Sequence, residues 1–317
     1  MTTMDITTIA FPAADLLDAV RARVDENSTG KLNFVIWNGT ENPQGTSVDD
    51  IDAVILPYLG TAETLARLPE LPNLKFVQGQ STGYDGVLEA AGPGVAVSSA
   101  SGVHAAATAE LAVGLALASL RGIDDAARDM REEKWSPTRR LSLADRRVLL
   151  IGVGGIGEEI AKRLDPFEVD LTRVGTRERD DERGHVFDAG DLPRLLPTAE
   201  VVILITPLTD ETHHLVDKDF LARLPDGALI VNVARGPVVD TDALVAELAS
   251  GRLHAALDVV DPEPLPEGHP LWRTPNTLVT PHVGGNTSAF VPRIENLLAE
   301  QLRRICAGED LMNRVDA

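Results

Sequence analysis

The chain has 317 residues, too many for one hydrophobic core of ordinary size, which predicts two domains. Its 29 basic and 49 acidic side chains give a formal net charge of −20, which argues against nucleic acid and anionic membranes as partners. A single cysteine excludes an internal disulfide, and the first segment lacks the basic and apolar regions of a secretory signal, so we expect a cytoplasmic protein.

Short apolar runs alternate with helix-length segments in the first hundred residues. We predict strands at 34–37, 53–57, 74–78 and 95–98, with helices such as 61–67 between them. This alternation is typical of a parallel sheet that carries helices on its faces.

A long segment rich in alanine and leucine follows, over residues 104–120. Its small side chains allow two interpretations. It is either a linker helix that packs closely against a neighbouring domain or subunit, or a buried core helix.

A second series of strands begins at Arg147. The six predicted strands are 148–152, 171–175, 201–206, 229–233, 255–259 and 277–280. Six strands in this order are what a dinucleotide-binding sheet requires. A last amphipathic helix is predicted over 291–306, with Gly308 as its natural stop.

This order predicts how the chain is divided. The dinucleotide-binding domain is expected at 102–286, and the last helix is expected to return to the first domain. The substrate domain is then discontinuous, with the segments 1–101 and 287–317. Two chain crossings make a hinge, and a cleft between the domains is the expected active site.

A glycine-rich segment, Gly152-Val-Gly154-Gly155-Ile156-Gly157, follows the first strand of the second series. The first glycine permits a tight turn, the second lets a pyrophosphate approach the backbone, and the third lets the next helix pack on the strand. That helix is predicted to begin near Glu158, and its first amides would bind phosphate. The alternative is a bare structural turn.

The end of the second strand in this series indicates which dinucleotide binds. An NAD site carries an acid here, about 20 residues after the glycines. The sequence instead reads Thr176-Arg177-Glu178-Arg179, so we predict a 2′-phosphate site with NADP(H) preferred and NAD(H) also accepted. Glu178 is expected to weaken this preference by neutralising an arginine. The alternative is that the arginines are solvated loop residues.

Arg235, Glu263 and His282 follow three later strands of the series. The carboxyl ends of parallel strands meet at one edge of a sheet, so these side chains are predicted to lie together. The arginine would pair with a substrate carboxylate and the histidine would supply a proton as hydride arrives. The glutamate would hold the imidazole and favour its charged form. Singly, each could be an ordinary surface or packing residue, but their coincidence favours a site that reduces an anionic carbonyl compound.

Together these segments resemble the D-isomer-specific 2-hydroxyacid dehydrogenases, in particular their glyoxylate and hydroxypyruvate reductases. The matching stretches are 152–157, 206–212, 232–240, 258–264 and 281–285, with 81–85 and 108–110 in the first part of the chain. The resemblance implies an α/β protein with two doubly wound parallel-sheet domains, a flavodoxin-like substrate domain and a Rossmann dinucleotide-binding domain. It also implies a homodimer and a small anionic 2-keto or 2-hydroxy acid as substrate.

The resemblance also assigns roles to individual residues. Arg235 would bind the substrate, Glu263 would partner the acid–base, and His282 would be that acid–base. Backbone amides of Ser81, Thr82 and Gly83 would bind the substrate carboxylate. The cofactor would be bound by Thr108, Gly152, Gly154, Gly155, Ile156, Gly157, Thr176, Arg177, Arg179, Thr206, Pro207, Thr212, Val233, Ala234, Asp258 and Gly284. No metal site is predicted.

Departures from the family pattern narrow the substrate. The first-domain loop at 56–61 lacks the arginine that phosphoglycerate-using members carry, and no regulatory domain is expected after the last helix. Glu263 stands where formate-oxidising members carry glutamine. Two other functions stay open, a nucleotide-sensing corepressor-like binding protein and a dehydrogenase of a non-carboxylate donor such as phosphite.

Overall fold

The computed structural model describes residues 5–25, 30–43, 45–59 and 61–315. The chain divides into two compact units, of which the first comprises Met1–His104 and Thr287–Ala317 and the second Ala105–Asn286. Gly60, part of the loop that we compared with phosphoglycerate-using members, lies outside the described residues.

The first unit contains a parallel sheet of five strands in the order β2-β1-β3-β4-β5. Its strands and first helices are β1 (Thr8–Phe11), α1 (Ala14–Arg21), β2 (Asn33–Ile36), β3 (Ala53–Ile55), α2 (Thr61–Arg67), β4 (Phe76–Gln78), α3 (Val87–Ala91) and β5 (Ala96–Ser98). Ile9 and Phe11 belong to one core cluster and Ala10 to another, so the sheet is covered on both faces. This is the flavodoxin-like order that we predicted. The sequence did not predict β1, because its run Thr8–Phe11 has only three consecutive apolar residues after a threonine and gives a weak signal.

The second unit contains an eight-stranded sheet in the order β13-β12-β11-β10-β6-β7-β9-β8. Its elements are α4 (Ala105–Arg121), α5 (Ile123–Arg131), β6 (Arg147–Ile151), α6 (Gly155–Leu164), β7 (Asp170–Gly175), β8 (Arg179–Asp181), β9 (Gly184–Asp188), α7 (Leu192–Leu195), β10 (Val201–Leu204), α8 (Lys218–Arg223), β11 (Leu229–Asn232), α9 (Thr241–Ala249), β12 (His254–Leu257) and β13 (Thr277–Val279). All neighbours pair in parallel except β8 and β9. The predicted Rossmann sheet is therefore confirmed.

Two details of this unit differ from the prediction. The hairpin β8–β9 was missed, because its first strand is charged and exposed and gives no apolar run. Helix α6 begins at Gly155, three residues before the predicted start near Glu158. Glycine is a poor helix former in general, but the first turn of a helix tolerates it.

Helix α4 is a core helix of the second unit. Ala109, Ala112 and Ala116 are buried against one face of the sheet, beside Val148 and Leu150 of β6. The small side chains let the helix approach the sheet closely, so the core interpretation is confirmed.

The last helix, α10 (Phe290–Ala307), belongs to the first unit. Its Ile294, Leu298 and Leu302 join the cluster that contains β1. The helix ends at Gly308 with φ of 67°, a left-handed conformation that favours glycine. Among the described residues no single helix is long and apolar enough to cross a membrane, although the bent pair α4–α5 meets that test by length and composition.

Candidate active site

The glycine turn between β6 and α6 is held by close backbone approaches. Gly152 has φ of 111°, and a Cβ atom there would lie 2.5 Å from the carbonyl oxygen of Ile205. A Cβ atom at Gly157 would lie 2.1 Å from the carbonyl oxygen of Gly152. Both positions therefore require glycine, whereas Gly154 and Gly155 face open space.

This turn fits the pyrophosphate of a nicotinamide dinucleotide. Helix α6 begins at Gly155 without a side-chain cap, so its first amides and the positive end of its dipole face the space beside Gly154. Just beyond the neighbouring strand β10, the Thr206 hydroxyl is buried and has no hydrogen-bond partner among the described residues. A buried hydroxyl without a partner is unfavourable, so its position favours a ligand that the chain itself does not supply.

Hydrogen bonds fix the segments that follow β10 and β11 at the carboxyl edge of the sheet. The Thr212 hydroxyl donates to the Pro207 carbonyl at 2.6 Å and so closes the loop that follows Thr206. The Ala234 amide donates to the side chain of Asn232 at 3.0 Å, and Val233 is buried beside it. These contacts shape the backbone at the predicted adenosine and ribose positions.

Thr176, Arg177 and Arg179 lie exposed at the carboxyl end of β7. A Cβ atom at Gly175 would lie 3.3 Å from Nη1 of Arg179, so this guanidinium lies against the end of the strand. Our expectation that Glu178 neutralises an arginine is wrong, because Glu178 pairs with His185 at 3.3 Å.

The loop that carries Arg235 packs directly against the loop that carries Glu263. A Cβ atom at Gly236 would lie 1.9 Å from the carbonyl oxygen of Val260, so only glycine permits this approach. The half-buried Arg235 donates from Nη1 to its neighbouring Ala234 carbonyl at 2.7 Å.

His282 and Glu263 form a hydrogen-bonded pair. Nδ1 of His282 lies 2.8 Å from Oε2 of Glu263, and the amide of Val260 donates to Oε1 of the same carboxylate at 3.0 Å. The histidine side chain is 51% exposed and that of the glutamate 35%. Because Nδ1 is engaged by the carboxylate, Nε2 is the nitrogen that can exchange a proton with a substrate.

Asp258 holds the loop on which His282 lies. Its carboxylate, in a residue only 3% exposed, accepts hydrogen bonds from the Thr280 hydroxyl at 2.6 Å, the Val283 amide at 2.9 Å and the Gly284 amide at 2.8 Å. His282 has φ of 51°, which is uncommon for a residue with a side chain and costs of order 1 kcal/mol. The bonds to Asp258 compensate for that cost.

Thr108 and Gly284, two predicted cofactor residues, lie together. A Cβ atom at Gly284 would lie 3.3 Å from Cγ2 of Thr108 and 3.0 Å from the Asp258 carboxylate. The approach of α4 to this loop therefore depends on the absence of a side chain at Gly284.

The charges around His282 shift its titration. The hydrogen bond that His282 donates to Glu263 raises the pKa of His282, against a lowering effect of burial and of the Arg235 charge. Burial would raise the pKa of Glu263, but hydrogen bonds from His282 and the Val260 amide, with the charges of His282 and Arg235, lower it overall. The pair thus favours an imidazolium beside a carboxylate, the form needed by a proton donor.

Replacing Glu263 with glutamine should lower the pKa of His282, because the carboxylate is the main cause of its elevation. A raised pKa keeps the imidazole protonated to higher pH, so in Glu263→Gln the rate of keto-acid reduction should decline at lower pH than in the wild type. Oxidation of the hydroxy acid needs the neutral imidazole, so in Glu263→Gln the rate of oxidation should stay high to a lower pH than in the wild type. The check is the pH dependence of kcat/KM in both directions, and superimposable profiles for the two proteins would contradict the coupling.

In the first unit, Ser81, Thr82 and Gly83 follow β4 at its carboxyl end. The Thr82 hydroxyl is buried and has no partner among the described residues, and the Ser81 carbonyl accepts from the Ala100 amide at 2.8 Å. As at Thr206, a buried hydroxyl without a partner favours a ligand at this turn.

Asn232 and Thr280 belong to the site and were not predicted. The side chain of Asn232 is 1% exposed and also donates to the Arg235 carbonyl at 3.0 Å, while Thr280 supports Asp258. A polar residue at the last position of an apolar strand is a sequence signal that could have identified Asn232.

Comparisons with known proteins identify relatives of this chain. A family model described as the NAD-binding domain of D-isomer specific 2-hydroxyacid dehydrogenases matches residues 113–284. The chain is 36% identical over 249 residues to a glyoxylate reductase of Thermofilum pendens, which covers 75% of this chain and 74% of that protein.

Solved structures are similar over nearly the whole chain. A D-isomer specific 2-hydroxyacid dehydrogenase from Xanthobacter autotrophicus Py2, in complex with NADPH and MES, has a TM-score of 0.81 and 30% identity, with 98% of both chains covered. An NADPH-dependent glyoxylate/hydroxypyruvate reductase from Sinorhizobium meliloti, in complex with NADP and malonate, has a TM-score of 0.78 and 26% identity, with 98% of this chain and 97% of that one covered. Because the family model spans more than half of the sequence and the glyoxylate reductase exceeds 30% identity over three quarters of it, the chain belongs to the D-isomer specific 2-hydroxyacid dehydrogenase family.

Proposed function

We propose that this chain reduces small 2-keto acids, with glyoxylate and hydroxypyruvate as the first candidates, to D-2-hydroxy acids, and that it uses NADPH in preference to NADH. The observation that carries the proposal is the His282–Glu263 pair at 2.8 Å beside the Arg235 loop. The relatives named glyoxylate and hydroxypyruvate reductases support the choice of substrates.

In this proposal each polar residue of the site has one role. The nicotinamide supplies hydride when it is bound. His282 donates a proton from Nε2 to the substrate carbonyl oxygen, and Glu263 keeps the ring oriented and charged. Arg235 binds the substrate carboxylate through two parallel N–H donors of its guanidinium. The backbone amides of Ser81, Thr82 and Gly83 also donate hydrogen bonds to that carboxylate.

The predicted cofactor residues keep their assigned roles in the proposal. The backbone of the turn from Gly152 to Gly157 binds the pyrophosphate, and Arg177 and Arg179 bind the 2′-phosphate. Thr206, Val233 and Ala234 line the adenosine and ribose side, and Asp258, whose carboxylate already holds the loop of His282, contacts the nicotinamide amide. The NADPH and NADP complexes of two similar structures support the 2′-phosphate assignment.

The proposal also includes a homodimer. The segment from α5 to Leu141 exposes Ile123, Met130, Trp135 and Leu141, and the tryptophan is 94% exposed. Large apolar side chains exposed along one segment favour a protein contact, and a second copy of the chain is the partner that we propose. Sedimentation equilibrium should therefore give a mass near twice 33.9 kDa, and a monomer at micromolar concentration would contradict it.

The direct test measures absorbance at 340 nm with a panel of keto acids and both cofactors. We expect turnover with glyoxylate and hydroxypyruvate and a value of kcat/KM for NADPH about tenfold above that for NADH, because one charge-assisted phosphate contact, discounted for exposure, is worth roughly that factor. Arg177→Ala should remove most of the NADPH advantage and leave NADH nearly unchanged.

The outcomes separate the alternative functions. Equal or better use of NADH would contradict the 2′-phosphate site. Tight NADPH binding with no turnover of any keto acid would favour a nucleotide-sensing binding protein. Turnover of phosphite alone would favour the non-carboxylate donor.

A further inference from the structure

The hairpin β8–β9, which the sequence did not predict, lies directly after the proposed 2′-phosphate site. Val186 of β9 pairs with Arg173 of β7 on one side and with Arg179 of β8 on the other. Arg179 is therefore a residue of a paired strand, whereas Arg177 lies in the preceding turn. The position of the Arg179 backbone depends on how firmly the hairpin is fixed.

Arg173 fixes the hairpin from within the sheet. The residue is only 4% exposed, and its guanidinium binds both oxygens of Asp181 at 3.0 and 2.6 Å and the carbonyl of Gly184 at 3.0 Å. A buried guanidinium is costly unless its donors are satisfied, so this set of contacts strongly favours one position for the hairpin turn.

The turn is also tied to the helix that begins at the pyrophosphate site. Arg183 pairs with Glu158 in the first turn of α6 and with Asp165 at the end of the same helix, the latter at 2.7 Å. The hairpin and the phosphate-binding helix are thus linked through one side chain.

The acids around Arg179 are all bound by other residues. His185 lies 3.3 Å from Glu178 and 2.9 Å from Asp180. Asp181 lies two residues after Arg179, on the same side of β8, and its two oxygens are occupied by Arg173. Besides the hydrogen bonds from Arg173, the charge of Arg179 already lowers the pKa of Asp181, so the two side chains are close. Without Arg173, Oδ2 of Asp181 would have no other partner among the described residues and could bind Arg179, because the Arg183 amide donates to Oδ1.

We propose that Arg173 is a positioning residue for cofactor selectivity. By binding both oxygens of Asp181 it holds the hairpin in place and competes with Arg179 for that carboxylate, so that Arg179 keeps its guanidinium for the 2′-phosphate of NADPH. This inference rests on the proposed preference for NADPH, and it adds a buried residue that touches neither the cofactor nor the substrate.

The test compares Arg173→Gln with the wild type by equilibrium binding, with the fluorescence of NADPH and NADH as the readout. We expect the affinity for NADPH to fall about threefold, less than in Arg177→Ala, and that for NADH to stay within twofold, since only the phosphate contact depends on Arg179 and Arg177 still contributes to it. The affinity for adenosine 2′,5′-bisphosphate, measured by competition, should fall in parallel. Arg179→Ala should show the same pattern.

Two further variants make the test decisive. Arg183→Gln loosens the hairpin from α6 without creating a buried polar gap, so it should lower NADPH affinity selectively even if Arg173→Gln proves unstable. Arg163→Gln, which removes a pair with Glu159 within α6, is the matched control and should change neither affinity. Equal losses for both cofactors, or no loss, in Arg173→Gln and Arg183→Gln would overturn the proposal. A wild type without preference for NADPH would overturn the proposed cofactor as well, whereas a preference that survives in both variants overturns the positioning role alone.

Discussion

His282→Ala should lower kcat/KM for keto-acid reduction roughly 10²- to 10⁴-fold at every pH, because the substrate oxygen then loses its positioned proton donor. The loss differs in kind from that of Glu263→Gln, in which the donor remains and only its titration changes. Binding of NADPH should be unchanged, since Nδ1 of His282 contacts Glu263 and the loop is held by the bonds of Asp258 to the Val283 and Gly284 amides, which do not involve the imidazole. Steady-state rates and fluorescence titration of NADPH together test both statements.

A second histidine of the same unit provides the control. His254 is the first residue of β12, whereas Asp258 lies just after the other end of that strand, so His254→Gln should retain wild-type kinetics. A His282→Ala protein that keeps more than a tenth of the wild-type rate would show that another group donates the proton.

Most of the fold follows from local sequence patterns. Most strands of the second unit are short apolar runs such as 148–151, buried on both faces, and most are followed by a helix-length segment. That pattern alone implies a parallel sheet and places the residues after each strand at one edge. Arg235, Glu263 and His282 could be grouped from the sequence for this reason.

The parts that could not be predicted depend on contacts between distant segments. The strands β8 and β9 contain charged and polar residues, and they form because β9 pairs with β7 and because Arg173 binds Asp181. No periodic apolar pattern reveals such an edge hairpin. The interpretation of Glu178 was wrong for the same reason, since its partner His185 lies on the opposite strand.

The contacts that hold the catalytic residues in place could not be predicted from the sequence either. The sequence marked Asp258 as a cofactor residue, but its three hydrogen bonds to residues 280–284 give it a structural role as well. Gly236 was part of a matching stretch, and only the 1.9 Å approach to Val260 explains why that position must be glycine. Long-range backbone packing of this kind leaves no local signature.

Arg235→Ala should raise KM for glyoxylate roughly ten- to a hundredfold and also lower kcat, because a charge-assisted contact of about 1.5–3 kcal/mol both binds and orients the carboxylate. Arg235→Lys should recover part of the binding, since one ammonium cannot reproduce the two parallel donors of a guanidinium. The variant should remain folded, as the loop is positioned by Gly236 and not by the arginine side chain. Arg273→Ala, at an exposed arginine beyond β12, is the matched control.

Two further measurements separate carboxylate binding from a general electrostatic effect of Arg235. Methylglyoxal has a reducible carbonyl but no carboxylate, so its KM should hardly change in Arg235→Ala while that for glyoxylate rises. The positive charge of Arg235 lowers the pKa of His282, so its removal should let reduction persist to higher pH, the opposite direction to Glu263→Gln. Equal losses for the two substrates would remove Arg235 from the carboxylate site. A pH profile shifted downward would show that its charge does not act on His282, because loss of a neighbouring cation can only make the imidazolium easier to form.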